Sequence, residues 1–138
     1  MYAQAPKPVK WIYTVERTSK EEATLIFSAN IEKEWHIYSQ VTPDGGPLPT
    51  VFSFDENKSF ERIGTVEEPV PHEEYDSTFE VKVLTLDGKP VFKQKIKLKD
   101  KETKITGKIE GQVCKDMCIM FGDSFTFNVD PYKDWVEL

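Results

Sequence analysis

Apolar and polar residues alternate along most of this chain, and the 3.6-residue spacing of an amphipathic helix is almost absent. Val9, Trp11, Tyr13 and Val15 share one face of a first predicted strand, and Leu25, Phe27, Ala29 and Ile31 line a second. HIYSQV (36 to 41) and TVFSFD (50 to 55) follow as strands, parted by TPDGGPLP, which its prolines and glycines make a loop. Another strand is expected around Arg62 to Val66, and then an exposed acidic loop, EEPVPHEEYDST (67 to 78), broken by Pro69 and Pro71. FEVKVLTL, Asp87-Gly88 and KPVFKQKIKLK read as a hairpin, because an Asp-Gly pair accepts the positive φ that a tight connection needs. KITGKIEGQV and DSFTFNVD are the last pair, with Phe125, Phe127 and Val129 inward. About nine short strands with turn signals between them predict an all-β fold, an immunoglobulin-like antiparallel β-sandwich; a closed barrel is the alternative.

At 138 residues the chain fits one domain over residues 1 to 138, with 1–8 and 131–138 as tails. Charge narrows the function classes. A net charge of −6 leaves no concentrated basic face for phosphates, so nucleic acid is not an expected partner. Lys93, Lys95, Lys97 and Lys99 fall at strand spacing, as a solvated outer face. No apolar run approaches the roughly 20 residues that span a bilayer. The start, MYAQAPKPVKW, has neither a basic n-region nor an apolar h-region; it reads as the beginning of a mature exported domain without its signal peptide.

Both cysteines lie in GQVCKDMCIMFG (111 to 122), at positions 114 and 118. On one continuous strand their Cα atoms would be about 13 Å apart, whereas a disulfide needs about 7 Å or less. A bond between them therefore requires Lys115-Asp116-Met117 to turn, as a three-residue hairpin loop or a bulge, and Asp116 suits such a turn. Ile105, Ile109 and Val113 share one face of the approaching strand, which puts Cys114 on the other with Thr106, Lys108, Glu110 and Gln112, away from the core and facing the surface.

Three readings of the pair stay open. As a staple it closes a loop of only about five residues, worth about 2 kcal/mol in the chain-entropy model, against nearly 5 for a loop of about a hundred. As a redox couple, a short, surface-facing disulfide is of the kind that exchanges. As a metal site, Cys114, Met117, Cys118 and Met120 offer four soft sulfurs suited to Cu(I). Zinc would need His36 and His72 to converge on the cysteines; each reads instead as a residue with ordinary hydrogen bonds.

GQVCKDMC, with Gln112 and Cys114 in a strand that runs into a turn, WHIYSQ (35 to 40) and the acidic PHEEYDSTF (71 to 79) together resemble the amino-terminal periplasmic domain of the DsbD thiol:disulfide interchange family, an immunoglobulin-like domain with a redox-active cysteine pair. The resemblance covers most of the chain in order. Two departures stand out: the spacing of three between the cysteines is short for the family, and Ile119-Met120 follow where prolines are common. It implies that Cys114 and Cys118 are the redox pair, Cys118 forming the mixed disulfide and Cys114 resolving it. Tyr75 would be the aromatic cap, flanked by Glu73 and Glu74, with Tyr38 near the pair. Carboxylates such as Asp116, Glu73 and Glu74 would raise a thiol pKa and slow attack until a partner docks.

The expected function is an exported, periplasmic exchange domain, part of a protein-disulfide reductase system. It would accept electrons from a thioredoxin-like donor and reduce oxidised periplasmic proteins. No cofactor is expected, and fusion to a membrane domain in a longer parent chain is allowed for. The rival is a binding module, holding Cu(I) or using the pair as a staple in an adhesion-type domain.

Overall fold

The computed structural model describes residues 7–100 and 102–130. The tails expected at 1–8 and 131–138 fall outside it, apart from Lys7 and Pro8. Among the described residues there are ten strands and no helix: β1 (Val9–Arg17), β2 (Glu22–Ile31), β3 (His36–Tyr38), β4 (Val51–Phe54), β5 (Phe60–Glu67), β6 (His72–Asp76), β7 (Val81–Leu86), β8 (Val91–Leu98), β9 (Thr103–Cys114) and β10 (Cys118–Val129). They form an immunoglobulin-like sandwich of two antiparallel sheets. One runs β1-β2-β8-β5 and the other β10-β9-β3-β7-β6, with β4 beside β9 as well. β3 and β4 share one flank of the long β9, which pairs through Val113 and Cys114 with β3 and through Gly107–Glu110 with β4.

The alternation read from the sequence places the core. Leu25, Phe27, Ala29 and Ile31 from β2 meet Ile105, Ile109 and Val113 from β9 and Phe125, Phe127 and Val129 from β10. Phe27 is fully buried at the centre, its ring centroid 5.0 Å from Phe52, 5.0 Å from Phe125 and 5.1 Å from Phe127, in edge-to-face contacts that aromatic quadrupoles favour. Gly107 and Gly111 interrupt β9 where there is no room for a side chain: a Cβ at 107 would collide with the Ser53 carbonyl and the Phe125 ring. Lys93, Lys95 and Lys97 of β8, and Lys99 just beyond it, face solvent, as expected, while Phe92, Gln94, Ile96 and Leu98 face inward. Gln94 is the polar member of that row, and its amide is satisfied by donating to the Ile63 and Lys95 carbonyls at 3.2 and 2.8 Å and accepting from Arg62 Nε at 3.1 Å.

Two expected elements are corrected. The Asp87-Gly88 turn forms, with Gly88 at φ 71°, but it does not close a hairpin. β7 pairs with β3 and β6, whereas β8 pairs with β2 and β5 in the other sheet. The cause is the ladder of β2: Ile31 N–H donates to the Gly88 carbonyl at 2.8 Å and Ala29 N–H to the Pro90 carbonyl at 3.0 Å, which draws the chain across the sandwich directly after the turn.

The acidic stretch 67 to 78 is likewise not all loop, because His72–Asp76 forms β6, an edge strand on β7. It carries no apolar alternation because, from His72 to Tyr75, residues on both of its faces are exposed. The crossover that leads into it is tied down by Glu68, whose carboxylate accepts from Ser39 Oγ at 2.5 Å and from the Gln40 backbone N–H at 2.9 Å.

Candidate functional site

β9 and β10 form one hairpin with the two cysteines as its last rung. Lys115-Asp116-Met117 is the three-residue turn between them, and Lys115 N–H donates to the Met117 carbonyl at 2.9 Å. The turn brings the Cys114 and Cys118 Cα atoms to 4.1 Å, and the two are joined as a disulfide. Lys115 also reaches Glu34 at 3.2 Å, an exposed ion pair of the sort worth less than about 1 kcal/mol.

The two sulfur-bearing residues are not equivalent. Cys118 is exposed, at the hairpin tip between Met117 and Met120, themselves 63% and 59% exposed. Cys114 is 3% exposed. Alternation correctly turned it away from the main core, since its neighbour Val113 takes the inward place beside Ile37 and Leu86. The expectation that it faces the surface was wrong. The outer face of the sheet has a small cluster of its own here, in which Cys114 is buried together with Tyr38 and Val83. Sequence periodicity marks which face a residue takes and not what covers that face.

His36 stands directly across the ladder from Cys114. Its Nε2 is 3.0 Å from the Tyr38 hydroxyl, and the two rings meet edge to face with centroids 5.2 Å apart. Burial pushes the Tyr38 phenol up to about 12, with the Asp76 and Glu74 carboxylates adding to it. Burial also lowers His36, against the opposing pull of Glu74, Asp76 and Asp87. Glu74 and Asp76 pair with Val83 and Val81 and so lie on the face of the disulfide.

Tyr75 and Glu73 alternate to the other side of β6. Tyr75 is 70% exposed opposite Lys82, and Glu73 forms a 3.1 Å ion pair with Lys82. The structure thus puts Cys114, Cys118, Tyr38 and Glu74 on one face of the sheet, with Asp116 in the turn that joins the cysteines, and places Tyr75 and Glu73 on the reverse of the β6 edge. Sequence reasoning set His36 aside as a residue with ordinary hydrogen bonds and did not name Asp76 or Val83. His36 and Tyr38 are two apart in a strand, so shared facing was the available signal; Val83 had none. His72, on β6, lies 3.9 Å from Asp87, and no group of three or more His, Cys, Asp or Glu positioned for a metal ion occurs among the described residues.

The raised Tyr38 phenol makes an alkaline test. Its folded pKa lies above its unfolded one, so its contribution is intact below about pH 10, where phenols titrate in the unfolded chain, and is lost as pH rises towards 12. Tyr13, also raised to about 12, adds a share that its partial exposure reduces. Denaturant unfolding at pH 9 and pH 12 should show the wild type losing about 2 kcal/mol more than Tyr38→Phe over that interval. Equal losses would show that Tyr38 is not held as a phenol.

The comparisons agree with this geometry. The family model for the N-terminal domain of the thiol:disulfide interchange protein DsbD matches residues 3–130. Among solved structures, the N-terminal periplasmic domain of ScsB from Proteus mirabilis is similar at TM-score 0.65 and 13% identity, over 95% of this chain and 49% of that one. This chain thus spans about half the length of that ScsB chain. The DsbD N-terminal domain of Neisseria meningitidis, in its reduced form, is similar at TM-score 0.52 and 12% identity, over 87% and 84% of the two chains. The GAE domain of GGA2p from Saccharomyces cerevisiae reaches TM-score 0.50 at 12% identity, over 94% and 96%. No curated protein sequence matches the chain. The last structure shows that this sandwich also occurs in a domain of another name, so the fold alone assigns no chemistry; the family model, matching nearly the whole chain around the cysteine pair, does, and the chain belongs to the DsbD N-terminal domain family.

Proposed function

We propose that this chain is a single periplasmic thiol:disulfide exchange domain, in which Cys114 and Cys118 receive two electrons from a thioredoxin-like donor and pass them to oxidised periplasmic proteins. The observation that carries the reading is the asymmetry of the pair: one exposed sulfur-bearing residue and one buried, joined across a three-residue turn. A donor thiolate attacks the exposed Cys118 Sγ, the S–S bond breaks, and Cys114 leaves as the thiolate. The donor's second thiolate then resolves the mixed disulfide, so that the donor leaves oxidised and this domain holds two thiols. Reduction of an oxidised target runs the same steps in reverse.

The alternative of a structural staple asks much of a bond that closes so short a loop, since it supplies only about 2 kcal/mol. Periplasmic location is supported by the family and by the ScsB domain, a periplasmic one by name. Asp116 at the tip and Glu74 and Asp76 on the same face disfavour a thiolate in the free domain, which makes exchange dependent on a docked partner. The exposed Met117 and Met120 beside Cys118 give such a partner an apolar contact.

Equilibration of the purified protein in glutathione and dithiothreitol redox buffers, read by thiol alkylation and mass, tests the proposal. The pair is expected to titrate above about −300 mV, where exchanging disulfides lie. A pair that stays oxidised below that potential is structural and ends the proposal.

A further inference from the structure

We infer that His36 is the acid–base group of this exchange, protonating the Cys114 sulfur as it leaves Cys118 and taking the proton back when Cys114 attacks. The inference rests on the proposed exchange function and adds the residue that handles its proton.

Residues directly opposite in an antiparallel ladder point to the same face with Cβ atoms about 4.5–5.5 Å apart. His36 and Cys114 are such a pair, so the two side chains leave the same face of the sheet side by side, the imidazole within reach of the sulfur that must gain or lose charge. Nε2 is engaged with the Tyr38 hydroxyl at 3.0 Å, which leaves Nδ1 as the nitrogen for sulfur and fixes the plane of the ring. Cys114 is 3% exposed and packs with Tyr38 and Val83 in one buried cluster, so bulk solvent reaches the departing thiolate poorly and the half-buried imidazole is the nearer proton source.

The groups that face His36 from its surroundings are Tyr38 on its own strand, Cys114 on β9, Glu74 and Asp76 on β6 and Asp87 after β7; beyond the turn, Lys115 is neutralised by Glu34. Burial lowers the imidazole pKa and the three carboxylates oppose it. The ring is therefore largely neutral near pH 7, and the step runs through its protonated fraction, which grows as pH falls.

The step balances. The donor thiolate's electron pair makes the bond to Cys118 Sγ, the Cys114–Cys118 bond pair goes to Cys114 Sγ, and the imidazolium proton follows it. Neutral His36 is recharged from solvent. In the resolving direction Cys114–SH gives its proton to His36, and the thiolate attacks Cys118 Sγ and expels the target's thiolate.

Reduction of the oxidised 138-residue protein by dithiothreitol from pH 5 to 9, with each rate divided by the dithiothreitol thiolate concentration, separates the outcomes. An imidazolium that lowers the effective pKa of the leaving thiol by about two units, at a sensitivity near 0.5, raises the rate about tenfold. The wild-type rate per thiolate should therefore fall about tenfold as pH rises through the His36 pKa, which lies below the ordinary 6.5. His36→Asn should be slow and flat across the range, and His72→Asn should keep the wild-type inflection. A flat profile in the wild type overturns the inference without need of any variant, and so does an inflection that survives His36→Asn or disappears in His72→Asn. A disulfide that dithiothreitol does not reduce at any of these pH values overturns the exchange function itself.

Discussion

Replacing Cys118 by serine should slow capture of a thioredoxin-like donor about a hundredfold, while replacing Cys114 should leave capture intact and arrest the reaction at the mixed disulfide. Both substitutions end net transfer, because two electrons can leave a donor only if a second sulfur resolves the intermediate. They differ in where the chemistry stops, and the difference follows from burial: Cys118 lies open at the hairpin tip and Cys114 is 3% exposed in a cluster with Tyr38 and Val83. To react through Cys114 a donor must first open that cluster, and an opening free energy of about 3 kcal/mol slows it on the order of a hundredfold. A donor whose one remaining cysteine carries a thionitrobenzoate group reports each capture by releasing the coloured thiolate. Cys114→Ser should release it about a hundred times faster than Cys118→Ser and form the adduct quantitatively, as seen by mass. Equal rates, or a faster Cys118→Ser, would reverse the assignment of the attacking and resolving sulfurs.

How much of this was legible beforehand depends on what kind of contact decided each feature. The strand faces were legible, because side-chain period follows from backbone geometry alone: Leu25, Phe27 and Ala29 lie inward and Lys93, Lys95 and Lys97 outward where the alternation put them. The need for a turn at Lys115-Asp116-Met117 followed equally from strand rise. Which sheet receives a strand was not legible. Asp87-Gly88 has the chemistry of a hairpin turn, but the long-range hydrogen bonds from Ala29 and Ile31 outrank it. β6 was hidden because an exposed edge strand needs no apolar face. The site divided the same way. The cysteines were conspicuous by spacing, whereas His36, Asp76 and Val83 join them only through the order β9-β3-β7-β6, which no local pattern encodes.

That same order predicts that stability and redox chemistry can be changed separately. Phe27 is fully exposed to neighbours and not to solvent: rings of Tyr13, Phe52, Phe54, Phe125 and Phe127 surround it between the sheets. Phe27→Ala removes a buried aromatic that both sheets share, at a cost of about 3–5 kcal/mol. Against a typical total of about 5–15 kcal/mol this is a large loss, and the melting temperature should drop by roughly 10–20 °C. The disulfide, however, belongs to a separate cluster on the opposite face of its sheet, reached only through the backbone of β9 and β3. Sites without shared partners are close to additive. Phe27→Ala, measured well below its melting point, should therefore keep the wild-type reduction potential within about 10 mV, about half a kcal/mol for a two-electron couple. A potential that moves with the core by 30 mV or more would mean that the two faces of the sheet are energetically one unit, and that the cysteine pair senses the packing of the whole sandwich.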